Sequence, residues 1–157
     1  MKQIVQITPQ FAVTGALAPA DLAIAAGMGF GAVLSNLPDG ELPGAPRSAE
    51  ERELAGRAGL GFAHVPLRKG DLDFAAIARD MLAALDGLQP PVLAHCASGQ
   101  RSALAWAIAA VRCHAVDAVL AALSSAGFSF APLRDEFDDL AAPGAAGSPR
   151  PAALDLA

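Results

Sequence analysis

Within seven residues, Cys96 to Ser102, the chain gathers one cysteine, one glycine, one arginine and two serines, in the run His95-Cys96-Ala97-Ser98-Gly99-Gln100-Arg101-Ser102. Pro91 to Ala94 before it read as a short buried strand, and Ala103 to Val111 after it as a buried helix. A strand feeding a loop and then a helix aims the loop's N–H groups at one spot, at the positive end of the helix dipole. That is an anion cradle, with Cys96 at its lip. N–H groups, dipole and the Arg101 guanidinium all favour thiolate over thiol, and such settings bring cysteine pKa values down to roughly 3.5–7.5. Cys96 is therefore expected to be a nucleophile rather than a small buried hydrophobe. Arg101 is expected to grip a tetrahedral oxyanion in its planar fork. Ala97, Ser98, Gly99, Gln100, Arg101 and Ser102 make up the anion-binding loop, with Ser98 and Gly99 shaping it. Ser102 is either an ordinary first-turn residue or a hydroxyl donor to the thiolate. His95 holds the loop rather than acting as a base, since a preformed thiolate needs none.

These residues must be held by an alternation of helix and strand. Ile4–Ile7 and Phe11–Val13 read as strands joined by a turn at Thr8-Pro9-Gln10. A helix starts near Asp21 and closes at Gly27 and Gly29, and Phe30–Leu34 form a core strand. Ser48-Ala49-Glu50-Glu51 has capping-box form and opens a helix to about Ala58; Phe62–Leu67 follow as a strand. Asp73 caps a helix from Phe74 to Leu85, and two further helices span Ala115–Ala126 and Leu133–Leu140. The class is α/β, with a mostly parallel central sheet covered by helices on both faces. Residues 1–141 form one domain, and the Ala/Pro/Gly-rich residues 142–157 a loosely draped tail. In such sheets ligands sit beyond the carboxyl ends of the strands. There the turns after Gly15, Asn36–Glu41, Arg68–Asp73 and Cys96–Arg101 should converge. Arg68 and Lys69 add positive charge, and Asp39, Asp71 or Asp73 could supply an acid. Asp39 precedes Gly40 in a tight turn and Asp73 caps a helix, which leaves Asp71 as the general-acid candidate.

The loop resembles the active loops of cysteine-dependent phosphatases and of rhodanese-type sulfurtransferases. With Ile7-Thr8-Pro9, Val13-Thr14-Gly15, Asn36-Leu37-Pro38-Asp39-Gly40-Glu41 and Val65-Pro66-Leu67 in order, the chain is similar to the phosphatase-like domain of beta-lactamase-hydrolase-like proteins over about residues 4 to 112. Ala16 departs from the glutamine that family members carry after the glycine matching Gly15. The resemblance implies a cysteine-phosphatase-like fold. Tyrosine-phosphatase-type loops place five residues between Cys and Arg; here four intervene, Ala97 to Gln100, as in rhodanese-type loops. A shorter loop implies a smaller cradle, so the leading expectation is sulfur transfer through a persulfide on Cys96. The alternative is phosphate-ester hydrolysis through a phosphocysteine, with Asp71 as acid. A third reading is an anion-binding or redox-sensing module, in which Cys113 is badly placed to resolve an oxidised Cys96.

Composition narrows the partners. A net charge of −5 and no basic stripe argue against nucleic acid, and no apolar run reaches membrane-spanning length. The start lacks a greasy signal segment, since Gln3, Gln6, Thr8, Pro9 and Gln10 interrupt it, so a cytoplasmic setting is expected. Two cysteines seventeen residues apart make no disulfide framework, and no His/Cys/acid spacing suits a metal. No cofactor or metal is expected, and the substrate should be a small anion. Cys113, His114 and His64 read as structural. The oligomeric state is left open.

Overall fold

Short apolar runs with no polar alternation suit strands buried on both faces, and a computed structural model places three of them so, at Phe11–Thr14, Ala32–Ser35 and Val92–His95. It describes residues 1–71, 73–141 and 150–157. In order the elements are β1 (Val5–Thr8), β2 (Phe11–Thr14), α1 (Asp21–Gly27), β3 (Ala32–Ser35), α2 (Ser48–Arg57), β4 (Gly61–His64), α3 (Phe74–Asp86), β5 (Val92–His95), α4 (Gln100–Ala110), α5 (Val116–Ser125) and α6 (Arg134–Leu140). Single 3₁₀ turns at Ala131–Leu133 and Ala152–Leu154 complete the described chain.

The sheet order is β1-β2-β5-β3-β4. β5 lies at its centre, parallel to both β2 and β3; β4 runs parallel to β3, and β1 joins β2 antiparallel. The registers align Thr14 with His95, His95 with Ser35, and Ser35 with His64. The four parallel strands therefore end level, and their outgoing loops share one edge.

Strand pleating sends alternate residues to opposite faces. Phe11, Val13, Ala32, Leu34, Val92 and Ala94 join the larger core with α3, α4, α5 and α6. Ala12, Val33 and Leu93 face the smaller core with Leu22 and Ala25 of α1 and Ala55 of α2. This is the expected mostly parallel sheet with helices on both faces. Trp106 of α4 is fully buried, its ring 6.3 Å from that of Phe11, so the helix that follows the cysteine loop is anchored against β2.

Three expectations need correction. Glu51 does not close a capping box on Ser48: Arg47 occupies the cap position without a side-chain bond, and Asp39 accepts both the N–H and the hydroxyl of Ser48 at 2.7 and 2.8 Å. The cap comes from a distant turn, which local spacing cannot reveal. α4 begins at Gln100 rather than at Ala103, because Gly99 takes a left-handed φ of 94° and turns the chain directly into the helix. The tail expected from residue 142 is in part core. Residues 142–149 lie outside the described residues, but Ala153 and Leu154 are fully buried against α3 and α4, and His114 Nε2 meets the Leu154 carbonyl at 2.7 Å.

Candidate active site

Cys96 is the first residue beyond β5, and the next turn folds back over it. The Gly99 N–H donates to Cys96 Sγ at 3.1 Å. Gly99 can do this because its left-handed backbone carries no Cβ; a side chain there would be strained and would touch the Thr14 carbonyl at 3.4 Å. Gly15 has a related role on the neighbouring loop. A Cβ on it would fall 3.0 Å from the Ala97 carbonyl, which accepts the Ala16 N–H at 3.4 Å and Lys2 Nζ at 3.2 Å. Two strand exits thus press against one another with glycine on each side.

Beneath the loop lies a polar layer that sequence reading did not assemble. Ser102, fully buried, donates its hydroxyl to Asn36 Oδ1 at 2.8 Å. Asn36 Nδ2 donates in turn to the Val65 carbonyl at 2.8 Å, and the Asn36 N–H to the His95 carbonyl at 2.7 Å. Of the two roles open to Ser102, the structure places its hydroxyl on Asn36 rather than on the thiol. His95 Nε2 lies 2.5 Å from Glu51 Oε1, both side chains buried. His95 therefore holds the loop's base to α2, as expected of it, and Glu51 is its unforeseen partner.

Arg101 leaves the first turn of α4 and spreads its fork on a carboxylate. Its Nη1 and Nη2 meet Glu41 Oε1 and Oε2 at 2.9 and 2.5 Å, while Nη1 also reaches the Leu67 carbonyl at 2.6 Å. Glu41 thus takes both prongs of the fork, the bidentate geometry that suits a carboxylate or a phosphate alike. The Arg101 hydrogen bond holds the Glu41 carboxyl below its usual range, helped by the charges of Lys69 and Arg68. Glu41, and then Cys96, push the guanidinium the other way, further into its protonated form. Glu41 belongs to the Asn36–Glu41 turn and was not singled out from sequence; a carboxylate 60 residues from its arginine in the chain gives no local signal.

Each of the expected acids accepts a backbone hydrogen bond. Asp71 Oδ1 accepts the Asp73 N–H at 3.0 Å, and Asp73 Oδ1 caps α3 on the Ala76 N–H at 3.2 Å. Asp39, tied to Ser48, has its carboxyl lowered by that backbone bond. His64 Nε2 meets the Leu37 carbonyl at 2.8 Å. An open cleft of about 390 Å³ runs past the loop, lined by Lys69, Gly70, Ala97, Ser98, Gln100 and Arg101. Cys96 itself lies under that lining, with no exposed surface. Cys113 is buried beyond the far end of α4, some 16 Å along an 11-residue helix; burial pushes its thiol up. Among the described residues, no group of three His, Cys, Asp or Glu side chains could hold a metal, and no helix is long and apolar enough to cross a membrane.

The phosphatase-like domain of the beta-lactamase hydrolase-like proteins, taken as a family model, matches residues 3–113. The chain belongs to this family. A beta-lactamase hydrolase-like protein of Agrobacterium fabrum is 31% identical over 98 residues, which cover 62% of this chain and 22% of that protein. This member of the phosphatase-like family thus spans less than a quarter of that curated relative. Among solved structures, a phosphatase candidate of Neisseria meningitidis Z2491 superposes with a TM-score of 0.70 at 25% identity, covering 87% of this chain and 97% of that one. A phosphatase candidate of Shewanella putrefaciens CN-32 shares the fold, with a TM-score of 0.64, 16% identity and coverage of 89% and 91%.

The likenesses back the phosphatase alternative and lend nothing to sulfur transfer, the leading expectation from loop spacing. Counting residues between Cys96 and Arg101 measures loop length, whereas cradle size depends on how the backbone turns. Here Gly99 turns it tightly enough to bring a loop N–H onto the sulfur.

Proposed function

We propose that the chain is a cysteine-dependent phosphatase acting on a small phosphorylated anion through a phosphocysteine on Cys96. The observation that carries this reading is the Gly99 N–H on Cys96 Sγ at the entrance of α4, with Arg101 beside it, in a chain of the phosphatase-like family. The sulfur attacks phosphorus; the S–P bond forms as the P–O bond to the leaving group breaks. Loop N–H groups and the α4 dipole stabilise the charge on the transferring group. The Arg101 fork takes two phosphoryl oxygens in place of the Glu41 carboxylate. Water then cleaves the S–P bond and restores the thiolate.

Ala97, Ser98, Gly99, Gln100 and Ser102 act through their backbone and through loop shape, and Cys96 and Arg101 do the chemistry. Two free, buried cysteines suit a reducing compartment, which supports a cytoplasmic setting.

The test is turnover of dinitrophenyl phosphate with an acid-quenched trap for phosphocysteine. Release of phosphate, lost in Cys96→Ser, supports the proposal. If no phosphate is released and thiosulfate instead adds one sulfur to Cys96, sulfur transfer replaces it.

A further inference from the structure

Resting on the phosphatase reading, we infer that this site takes phosphoryl groups from weakly basic, anionic leaving groups, phosphoanhydrides above all, because the carboxyls around it are committed elsewhere and cations line its mouth.

A phosphatase that cleaves an alkyl phosphate must protonate a strongly basic alkoxide as it leaves, which calls for a carboxylic acid aimed at that oxygen. Around Cys96 each candidate is already employed. Glu41 is spread bidentately on Arg101 at 2.9 and 2.5 Å. Asp39 accepts two hydrogen bonds from Ser48, at 2.7 and 2.8 Å. Glu51 is buried on His95. Asp73 caps α3, and Asp71 accepts a backbone N–H and is not part of the cleft wall. Of these, the Glu41 and Asp39 carboxyls are lowered by their bonds to Arg101 and to the Ser48 N–H, which makes them poor proton donors. The two segments outside the described residues, 72 and 142–149, contain no Asp or Glu.

What the mouth does offer is positive charge. Lys69 lines the cleft, Lys2 Nζ stands on the Ala97 carbonyl, and Arg68 is close enough to act on Glu41. In a chain of net charge −5 this is a local reversal of sign. Cations stabilise a leaving group that departs as an anion and do nothing to protonate one. A bridging phosphoanhydride oxygen is such a leaving group: its electron pair stays on the departing phosphate without needing a proton. In the first step Cys96 S⁻ bonds to the terminal phosphorus, the P–O bridge breaks, and the departing phosphate keeps the pair. In the second, water adds to phosphorus, the S–P bond breaks, and thiolate and dihydrogen phosphate separate, both water protons leaving with the product.

The experiment compares kcat/KM for dinitrophenyl phosphate, phenyl phosphate, an alkyl phosphate and inorganic pyrophosphate, in the unaltered chain and in Asp71→Asn and Lys69→Ala. Phenyl and alkyl phosphates should lag dinitrophenyl phosphate by at least the roughly 10²-fold that a general acid would otherwise supply. Pyrophosphate should be cleaved, Lys69→Ala should slow it several-fold more than it slows dinitrophenyl phosphate, and Asp71→Asn should change none of the ratios. Similar rates on all the esters, or an Asp71→Asn loss confined to the basic leaving groups, would overturn the leaving-group inference and leave the phosphatase reading standing. An inert dinitrophenyl phosphate would bring down both.

Discussion

Glu51 Oε1 lies 2.5 Å from His95 Nε2, and each side chain is only 2% exposed. One residue comes from α2 on the smaller-core face, the other from the last position of β5. The contact therefore ties a surface helix to the residue that precedes the nucleophile. His95 Nδ1 finds no hydrogen-bond partner among the described residues, so Glu51 carries the whole of the ring's polar satisfaction.

Removing that partner should be costly. Glu51→Ala leaves a buried imidazole unsatisfied and is expected to lower unfolding free energy by about 3 kcal/mol or more. Glu51→Gln keeps an acceptor and should recover most of the loss. Urea denaturation of the three proteins measures both; equal losses for Ala and Gln would show that packing, not the hydrogen bond, matters here.

Arg101→Lys retains charge but loses the planar fork that fits two oxygens. We expect kcat/KM on dinitrophenyl phosphate to fall by about 10²–10³-fold, in line with loss of one preorganised oxyanion donor, with little change in thermal midpoint. A variant within a few-fold of the parent would mean that the guanidinium only pairs with Glu41.

The Glu41 carboxyl is lowered in the folded chain by its bond to Arg101. A depressed carboxyl stabilises the fold at pH above its unfolded value, and the contribution disappears as pH falls through the folded one. Asp39, lowered by the Ser48 backbone bond, acts in the same window and the same direction. The parent should thus lose an increment of stability on the acid side that Glu41→Gln lacks, so their thermal midpoints converge as pH drops below the carboxylate range. Both groups are partly open to solvent, so added salt should shrink the gap.

Gly99→Ala forces a side chain into a left-handed backbone, at about 1–2 kcal/mol. Its larger effect should be on chemistry, because relaxing the turn takes the Gly99 N–H off Cys96 Sγ. We expect kcat/KM on dinitrophenyl phosphate to fall by about 10²-fold, as for loss of one preorganised donor. An unchanged kcat/KM alongside the lost stability would separate loop shape from the chemistry at Cys96.

β2, β3 and β5 were legible because they are buried and largely apolar on both faces, and α3 because Asp73 both looks like a cap and acts as one. Cys96 and Arg101 stood out because the loop puts them within one turn of each other. The residues that hold them did not. Asn36 reaches Ser102 across 66 residues of chain and Glu41 reaches Arg101 across 60, and Glu51 reaches His95 from a helix whose sequence suggested a local bond instead. Short-range pattern reports which backbone a residue prefers; it carries no trace of a polar partner delivered by topology.

The burial of Leu154 alters what counts as this protein's minimal unit. The family match stops at residue 113, before α5 and α6 and well before the returning 3₁₀ turn. A fragment ended there would bare the apolar flank of α3 and α4 that Val119, Leu123, Phe137 and Leu154 now cover. Anyone trimming the chain by homology alone would be handling a sticky half-molecule, and the last eight residues belong in every expression design.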